Sequence, residues 1–214
     1  MAKHKGGGHK AGGKPGGKPG GKPGAAGAKV ISKVLSETRT FHSRSGKTRE
    51  YELIHPNKAR EGELSKKYHM KDRKPDEQGN TGPNVRTRKV GRDSNDLARA
   101  VDDARKATGD KSGRNFAAFR YIDKNGEERI MVARSDGRHS EKRAGMEILE
   151  RGGKLKEVYT ERQPCDVPGA WCEEWIPRYF KNKVDVTYSY PYDNDIPGSK
   201  SAANSAVKRH AGKL

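Results

Sequence analysis

From Ser94 to the C-terminus, stretches with a helical period alternate with stretches that read as strands, and this alternation limits the fold more than any other feature. Ser94-Asn95-Asp96 is an N-cap cluster, and Leu97, Val101 and Ala104 recur at helical spacing to about Thr108. Phe116 to Ile122 predicts a strand, Asn125-Gly126 a hairpin turn, and Arg129 to Ala133 the returning strand. Ser135-Asp136-Gly137 then caps a helix over about His139 to Glu150, which Gly152-Gly153 stops. Leu155 to Thr160 predicts a further strand, ended by Pro164. Trp171 to Tyr179 predicts a helix in which Pro177 is a kink or early stop. Val184, Val186, Tyr188 and Tyr190 alternate with Asp185, Thr187 and Ser189, which predicts a half-buried strand with both tyrosines toward the core. A last helix begins at about Ala202. The order α-β-β-α-β-α-β-α implies a layered α/β domain with a mixed sheet of about four to five strands.

Ahead of Arg92 the chain reads differently. Gly12 to Gly24 is the repeat GGKPGGKPGGKPG, in which glycine resists ordering and proline blocks helix and sheet pairing. Residues 1–28 therefore read as a disordered Gly/Lys/Pro-rich linker, 29–92 as a basic, poorly ordered region, and 93–214 as the folded domain. Within the middle region, Ala28 to Leu35 reads as a short helix or docking segment, and Tyr51-Glu52-Leu53-Ile54 as a short strand. Charge follows the same division. Residues 1–110 carry 26 Lys+Arg against 13 Asp+Glu, and residues 111–214 carry 20 against 15, out of a net +18. The basic arm suits a polyanion such as DNA, RNA or anionic lipid, or serves as a solubilising tail. No stretch approaches the ~18 apolar residues of a membrane span, and Met1 to Gly24 lacks the apolar core of a signal peptide. The expected location is cytoplasmic.

The chain has two cysteines, Cys165 after Pro164 and Cys172 after Trp171, downstream of His139-Ser140-Glu141. His139, Cys165 and Cys172 offer one imidazole and two thiolates, with the Glu141 carboxylate nearby. This is the donor set of a catalytic Zn2+ site that keeps its fourth position open. Residues two apart in a regular helix face different ways. His139 and Glu141 share one ion only if His139 lies in an irregular first turn, which Asp136-Gly137 allows. Cys165 and Cys172 then come from a loop and from the first turn of the next helix, where the dipole favours thiolates. In such a site zinc lowers the pKa of water toward about 7, and Glu141 shuttles the proton to the leaving group.

His139-Ser140-Glu141, followed by Tyr159-Thr160-Glu161-Arg162-Gln163-Pro164-Cys165 and Cys172, resembles the nucleic acid and nucleotide deaminase domains of bacterial polymorphic toxins. These belong to the cytidine-deaminase-like superfamily, and the resemblance points to its Xanthomonas-type branch. It extends from about Leu97 to about Tyr192. It implies a three-layer domain with a five-stranded sheet flanked by helices. It also implies hydrolytic loss of an exocyclic amine, with His139, Cys165 and Cys172 as metal ligands and Glu141 as proton shuttle. A nucleic acid or nucleotide is the implied substrate, an immunity protein the implied partner, and export by a non-classical toxin route the implied context. One departure stands out. The commoner pattern has two residues between the cysteines, and here there are six, Asp166 to Trp171.

Other readings of the same residues stay open. His210 would complete a structural zinc site, the two cysteines would form a disulfide, or Glu141 would be a first-turn acid on a helix dipole. Each belongs to a non-catalytic basic nucleic-acid-binding protein. A metal nuclease is disfavoured, because no paired histidine or acidic cluster is apparent. Three further residues are candidates for substrate contact: Asn115 at the start of a strand, Ser135 at a helix cap, and Tyr192. Trp171 and Trp175 read as packing anchors. Lys200, Lys208, Arg209 and Lys213 form a basic cluster that tracks phosphates or faces solvent.

Overall fold

The computed structural model describes residues 33–70 and 85–214. The repeat at Gly12–Gly24 and most of the Ala28–Leu35 segment lie outside the described residues. The strands are β1 (Leu35–His42), β2 (Thr48–His55), β3 (Val85–Lys89), β4 (Phe116–Ile122), β5 (Glu128–Arg134), β6 (Lys154–Arg162) and β7 (Val184–Tyr190). The helices are α1 (Lys58–Lys67), α2 (Asp96–Thr108), α3 (Ser140–Glu150), α4 (Cys172–Tyr179) and α5 (Ser199–Ala211).

All seven strands join one mixed sheet in the order β1-β2-β5-β4-β6-β7-β3. β4 runs antiparallel to β5 and β6, whereas β2–β5, β6–β7 and β3–β7 are parallel pairs. The sheet is therefore larger than the four to five strands expected, and the described part of 29–92 is ordered. The additions are β1, β2, α1 and β3. Their sequences conceal them. β1 lies at one edge with only Phe41 buried, and β3 at the other with only Val85 buried, so neither shows an apolar period. β3 is fixed by parallel pairing to β7, about a hundred residues away, a contact that local sequence does not announce. α1 is short and polar. Asn57 caps it by accepting from the Arg60 amide, and only Glu61 and Leu64 are buried.

Alternation along β4 divides the core. Ala117, Phe119 and Tyr121 pack with α1, α3 and α4 residues, including Leu64, Met146, Ile148 and Trp175. Phe116 and Ala118 pack on the other face with Leu97, Val101 and Ala104 of α2. Both faces are thus covered, giving three layers. That covering corrects the reading of β7. Thr187 and Ser189 are buried, and Tyr188 and Tyr190 are only half-buried. The polar pair is paired inside: Asn95 donates to Thr187 at 3.0 Å, and Tyr159 shares a hydrogen bond with Ser189 at 2.9 Å.

Candidate metal and proton-transfer site

α3 opens with its N-cap His139 in an extended conformation, after Gly137 takes φ +73°. Glycine meets that left-handed turn without steric cost. His139 thus sits outside the regular helix, the irregular opening needed to bring its ring and the first-turn Glu141 to one place. It caps nothing with its own side chain. Instead Ser135 Oγ accepts from the Ser140 amide at 3.0 Å. The loop is held from behind by Arg143, which donates to the carbonyls of Arg134 and Asp136 and pairs with Glu61 of α1 at 2.6 Å.

Cys165 lies in the loop after β6, and Cys172 is the first residue of α4. The six residues between them fold into a turn. Ala170 and Trp171 amides donate to the Val167 carbonyl, Gly169 takes φ +79° and Trp171 φ +45°. Lys142 Nζ reaches the Gly169 carbonyl at 3.3 Å. The longer spacing loops outward, and both sulfurs return to one imidazole. His139 Nδ1 lies 3.2 Å from Cys165 Sγ and 3.3 Å from Cys172 Sγ. The three donor atoms lie within 4.8 Å of one another. A tetrahedral zinc ion with its usual bond lengths separates sulfur and nitrogen by roughly 3.5 Å, so the cluster needs little adjustment. Both cysteines are free thiols. Cys165 is drawn down to about 4 by a hydrogen bond from Cys172 and by His139, against its burial. Cys172 is pushed well up by that same bond and by complete burial. His139 is raised in turn, chiefly by its hydrogen bond to Cys165. His210 is elsewhere, 2.9 Å from Asp102, so among the described residues the cluster has three donors.

Glu141 is buried, and three side chains hold its carboxylate. Thr160 Oγ1 donates to Oε1 at 2.9 Å, Asn115 Nδ2 lies 3.1 Å from Oε1, and Ser140 Oγ donates to Oε2 at 3.1 Å. Asn115 is itself engaged throughout, with Nδ2 also 2.7 Å from Thr160 Oγ1 and Oδ1 accepting from the Arg162 amide at 2.9 Å. Its carboxamide thus helps to hold Glu141, and the residue also lines the cavity described below. Sequence reasoning misses Thr160 and Ser140. Period-two alternation along β6 puts Thr160 with Val158 on the α3 face, which is the available signal. Glu161 points to the other face, wholly buried, where Arg105 clasps it at 2.8 and 2.6 Å and Arg92 adds a hydrogen bond at 3.0 Å. Arg105 also donates to the Asp110 and Arg114 carbonyls, fixing the loop that delivers Asn115.

A cavity of about 170 Å³ brings these parts together, lined by Asn115, Ser135, His139, Glu141, Cys165 and Tyr192 among others. Tyr192 is buried against Cys165, Cys172 and Ala203. Of the seven candidates for ligand, proton shuttle and substrate contact, six line this cavity; Cys172 does not, although its sulfur lies 3.3 Å from His139 Nδ1. Trp175 is wholly buried in the core, as an anchor should be.

The fold and site define an α/β protein in which two helix openings and the loop after β6 present a His-Cys-Cys donor set beside a cradled glutamate. Residues 112–210 match the model of the Xanthomonas-like deaminase family. That segment, just under half of the chain, is similar to deaminase domains of this type, and the similarity is consistent with the cytidine-deaminase-like superfamily and supports a hydrolytic enzyme. No curated protein and no solved structure matches the chain. The matched segment contains β4 to β7, while the strand beyond β7 comes from Val85–Lys89, ahead of it. Among the described residues no helix is long and apolar enough to cross a membrane.

Proposed function

We propose that this domain is a zinc-dependent hydrolytic deaminase acting on cytosine or adenine within a nucleotide or nucleic acid. The observation that carries the reading is the meeting of a His139–Cys165–Cys172 donor set with a buried, cradled Glu141 at one base-sized cavity. Three donors rather than four favour a catalytic over a structural ion. When bound, zinc would activate the attacking water by lowering its pKa and withdraw charge from the forming intermediate. Glu141 receives the proton of that water and returns it to the exocyclic nitrogen, so that water is consumed and ammonia leaves. Its two oxygens accept three hydrogen bonds, and a carboxylate has about four lone-pair sites, which leaves capacity for a proton. Thr160, Asn115 and Ser140 hold the carboxylate in place. The roles of toxin and immunity-protein target rest on family resemblance alone.

The test incubates the protein with single-stranded DNA, RNA, duplex DNA and free nucleosides, beside Glu141→Ala. Mass spectrometry reads the ~1 Da gain of amine-to-carbonyl exchange. A gain with wild type only is expected. No gain on any substrate, with no zinc by elemental analysis, overturns the reading.

A further inference from the structure

Beside the base-sized cavity lies a second, open groove of about 710 Å³, and the two share Ser135, His139 and Arg162 as lining. Its far wall is one face of α5. Ser201, Asn204, Ser205 and Lys208 recur at intervals of three, one and three residues, a single helical stripe, while Ala203, Val207 and Ala211 form the buried face. The opposite wall supplies Arg114 and Arg138. Against four cations, counting Arg162 and Lys208, the lining has one acid, Asp136, already 3.2 Å from Arg134 and 3.8 Å from Arg114. Helix α5 contains no acidic residue at all. The small serines leave the helix backbone open to close approach. Arg162 Nη1 is oriented by Asn204 at 2.5 Å and forms the junction between groove and cavity.

Size decides what lies where. Pockets that enclose a drug-sized ligand run to about 300–1,000 Å³. At about 170 Å³ the inner cavity takes a heterocyclic base and leaves its sugar and phosphate outside. Outside is the cationic groove. We infer that the groove along α5 binds the phosphodiester backbone next to the target base, so that the substrate is a single-stranded polynucleotide rather than a free nucleoside. A strand with its bases already unstacked can turn one base into the cavity, whereas a duplex must first break a pair. The serine hydroxyls, the Asn204 amide and the Lys208 ammonium can all donate to phosphate oxygens, which suits backbone contact. This inference rests on the deaminase reading only for the identity of the cavity's occupant.

The test measures binding, which does not depend on turnover. Fluorescein-labelled 12-mers of single-stranded DNA, single-stranded RNA and duplex DNA are titrated by anisotropy against the full chain and two double variants. Arg114→Gln with Lys208→Gln removes groove charge. Arg209→Gln with Lys213→Gln removes equal charge from the last turn of α5 and the residues just after it, outside the groove lining. The basic N-terminal residues are common to all three proteins. The expected result is at least fivefold weaker single-strand binding by the groove variant than by the control. Its salt slope should fall by about one for each phosphate that is no longer neutralised. DNA binding above RNA, or the reverse, identifies the backbone preferred. Equal losses in both variants, or tightest binding to the duplex, overturn the inference. Deamination of free nucleosides by a groove variant that binds 12-mers normally would overturn it while sustaining the activity.

Discussion

At the residue scale, the site is a problem in holding a buried carboxylate still. Thr160 has one hydrogen to give, and it points to Glu141 Oε1. Thr160→Val keeps the shape of the side chain and deletes that donor. Removing a partner from a buried charged group costs about 1–3 kcal/mol, so turnover should fall about fivefold or more. Thr160→Ser should restore most of it, because the hydroxyl returns. An unchanged rate in the valine variant would show that Asn115 suffices. Cys165→Ala tests the donor set itself. Its loss leaves one sulfur and one imidazole, and a site with two protein donors should not retain zinc through dialysis. Because metal binding is coupled to folding, thermal stabilisation by added zinc should disappear in this variant and persist in wild type. Metal retained at full occupancy, by elemental analysis, would exclude Cys165 as a ligand.

At the scale of elements, the donors are aligned because α3 and α4 pack closely. A Cβ added to Gly145 would meet Trp175 Cζ3 at 2.5 Å and Cη2 at 2.9 Å. The indole cannot retreat: its Nε1 donates to the Tyr68 carbonyl at 3.0 Å, and Tyr179 and Phe180 flank it. Gly145→Ala gains about 1 kcal/mol of helix propensity and meets about 1–3 kcal/mol of overpacking. It should therefore lower Tm, and by forcing apart the helices that begin at His139 and Cys172 it should lower zinc affinity as well. A higher Tm with unchanged zinc affinity would show that the helix interface yields freely. The α3 C-terminus is tied to β2 by Arg151, which donates to both Glu52 oxygens at 2.5 and 2.9 Å. Burial raises the Glu52 carboxyl, but the Arg151 hydrogen bonds outweigh it and leave the group below the usual glutamate range. A depressed acid contributes stability that is fully present above its unfolded value, about 4.3, and lost as pH falls through the folded one. Urea midpoints of Glu52→Gln should thus lie below wild type at pH 7 and converge with it toward pH 3.5. A constant gap would assign the effect to packing. These same elements show what a sequence discloses. β4, β5, α3 and the hairpin between the two strands are legible because each carries its own period and its own turn residues, Asn125-Gly126 and Gly152 among them. The donor set is legible because two cysteines and one histidine suffice to define it. β1, α1 and β3 are not, since their few buried residues, such as Phe41, Leu64 and Val85, are separated by charge and acquire meaning only from partners distant in the chain.

At the scale of the whole molecule, the segment that matches the family does not contain all of its own sheet. The family match begins at residue 112, yet β5 pairs with β2 along Glu52–Ile54, and β7 pairs with β3 from Val85 to Lys89. The described residues, 33–70 and 85–214, fall within one compact unit. Tyr51, Leu53 and Ile54 of β2 are each 1% exposed and contribute to both cores, Tyr51 and Leu53 on the α2 side and Ile54 on the α3 side. Burying a side chain of this size stabilises by about 1.5–3 kcal/mol, and whole domains are stable by only about 5–15 kcal/mol. A chain cut to 93–214 loses these three residues with Phe41, Leu64 and Val85, and leaves β5 and β7 as bare edges, open to pairing with other copies. It also loses Glu61, the carboxylate that pairs with Arg143 behind the His139 loop, and Arg92, which reaches Glu161. The expected outcome is a fragment that aggregates, or that unfolds at a Tm lower than the full chain's by at least roughly 10 °C, several kcal/mol of missing burial being spread over a small domain. It should bind zinc poorly even where it stays in solution. Size-exclusion chromatography with a thermal melt of the two proteins decides it. A monomeric 93–214 with the full chain's Tm would mean that the N-terminal strands decorate an already complete domain, and the interdependence drawn from the strand order would be wrong.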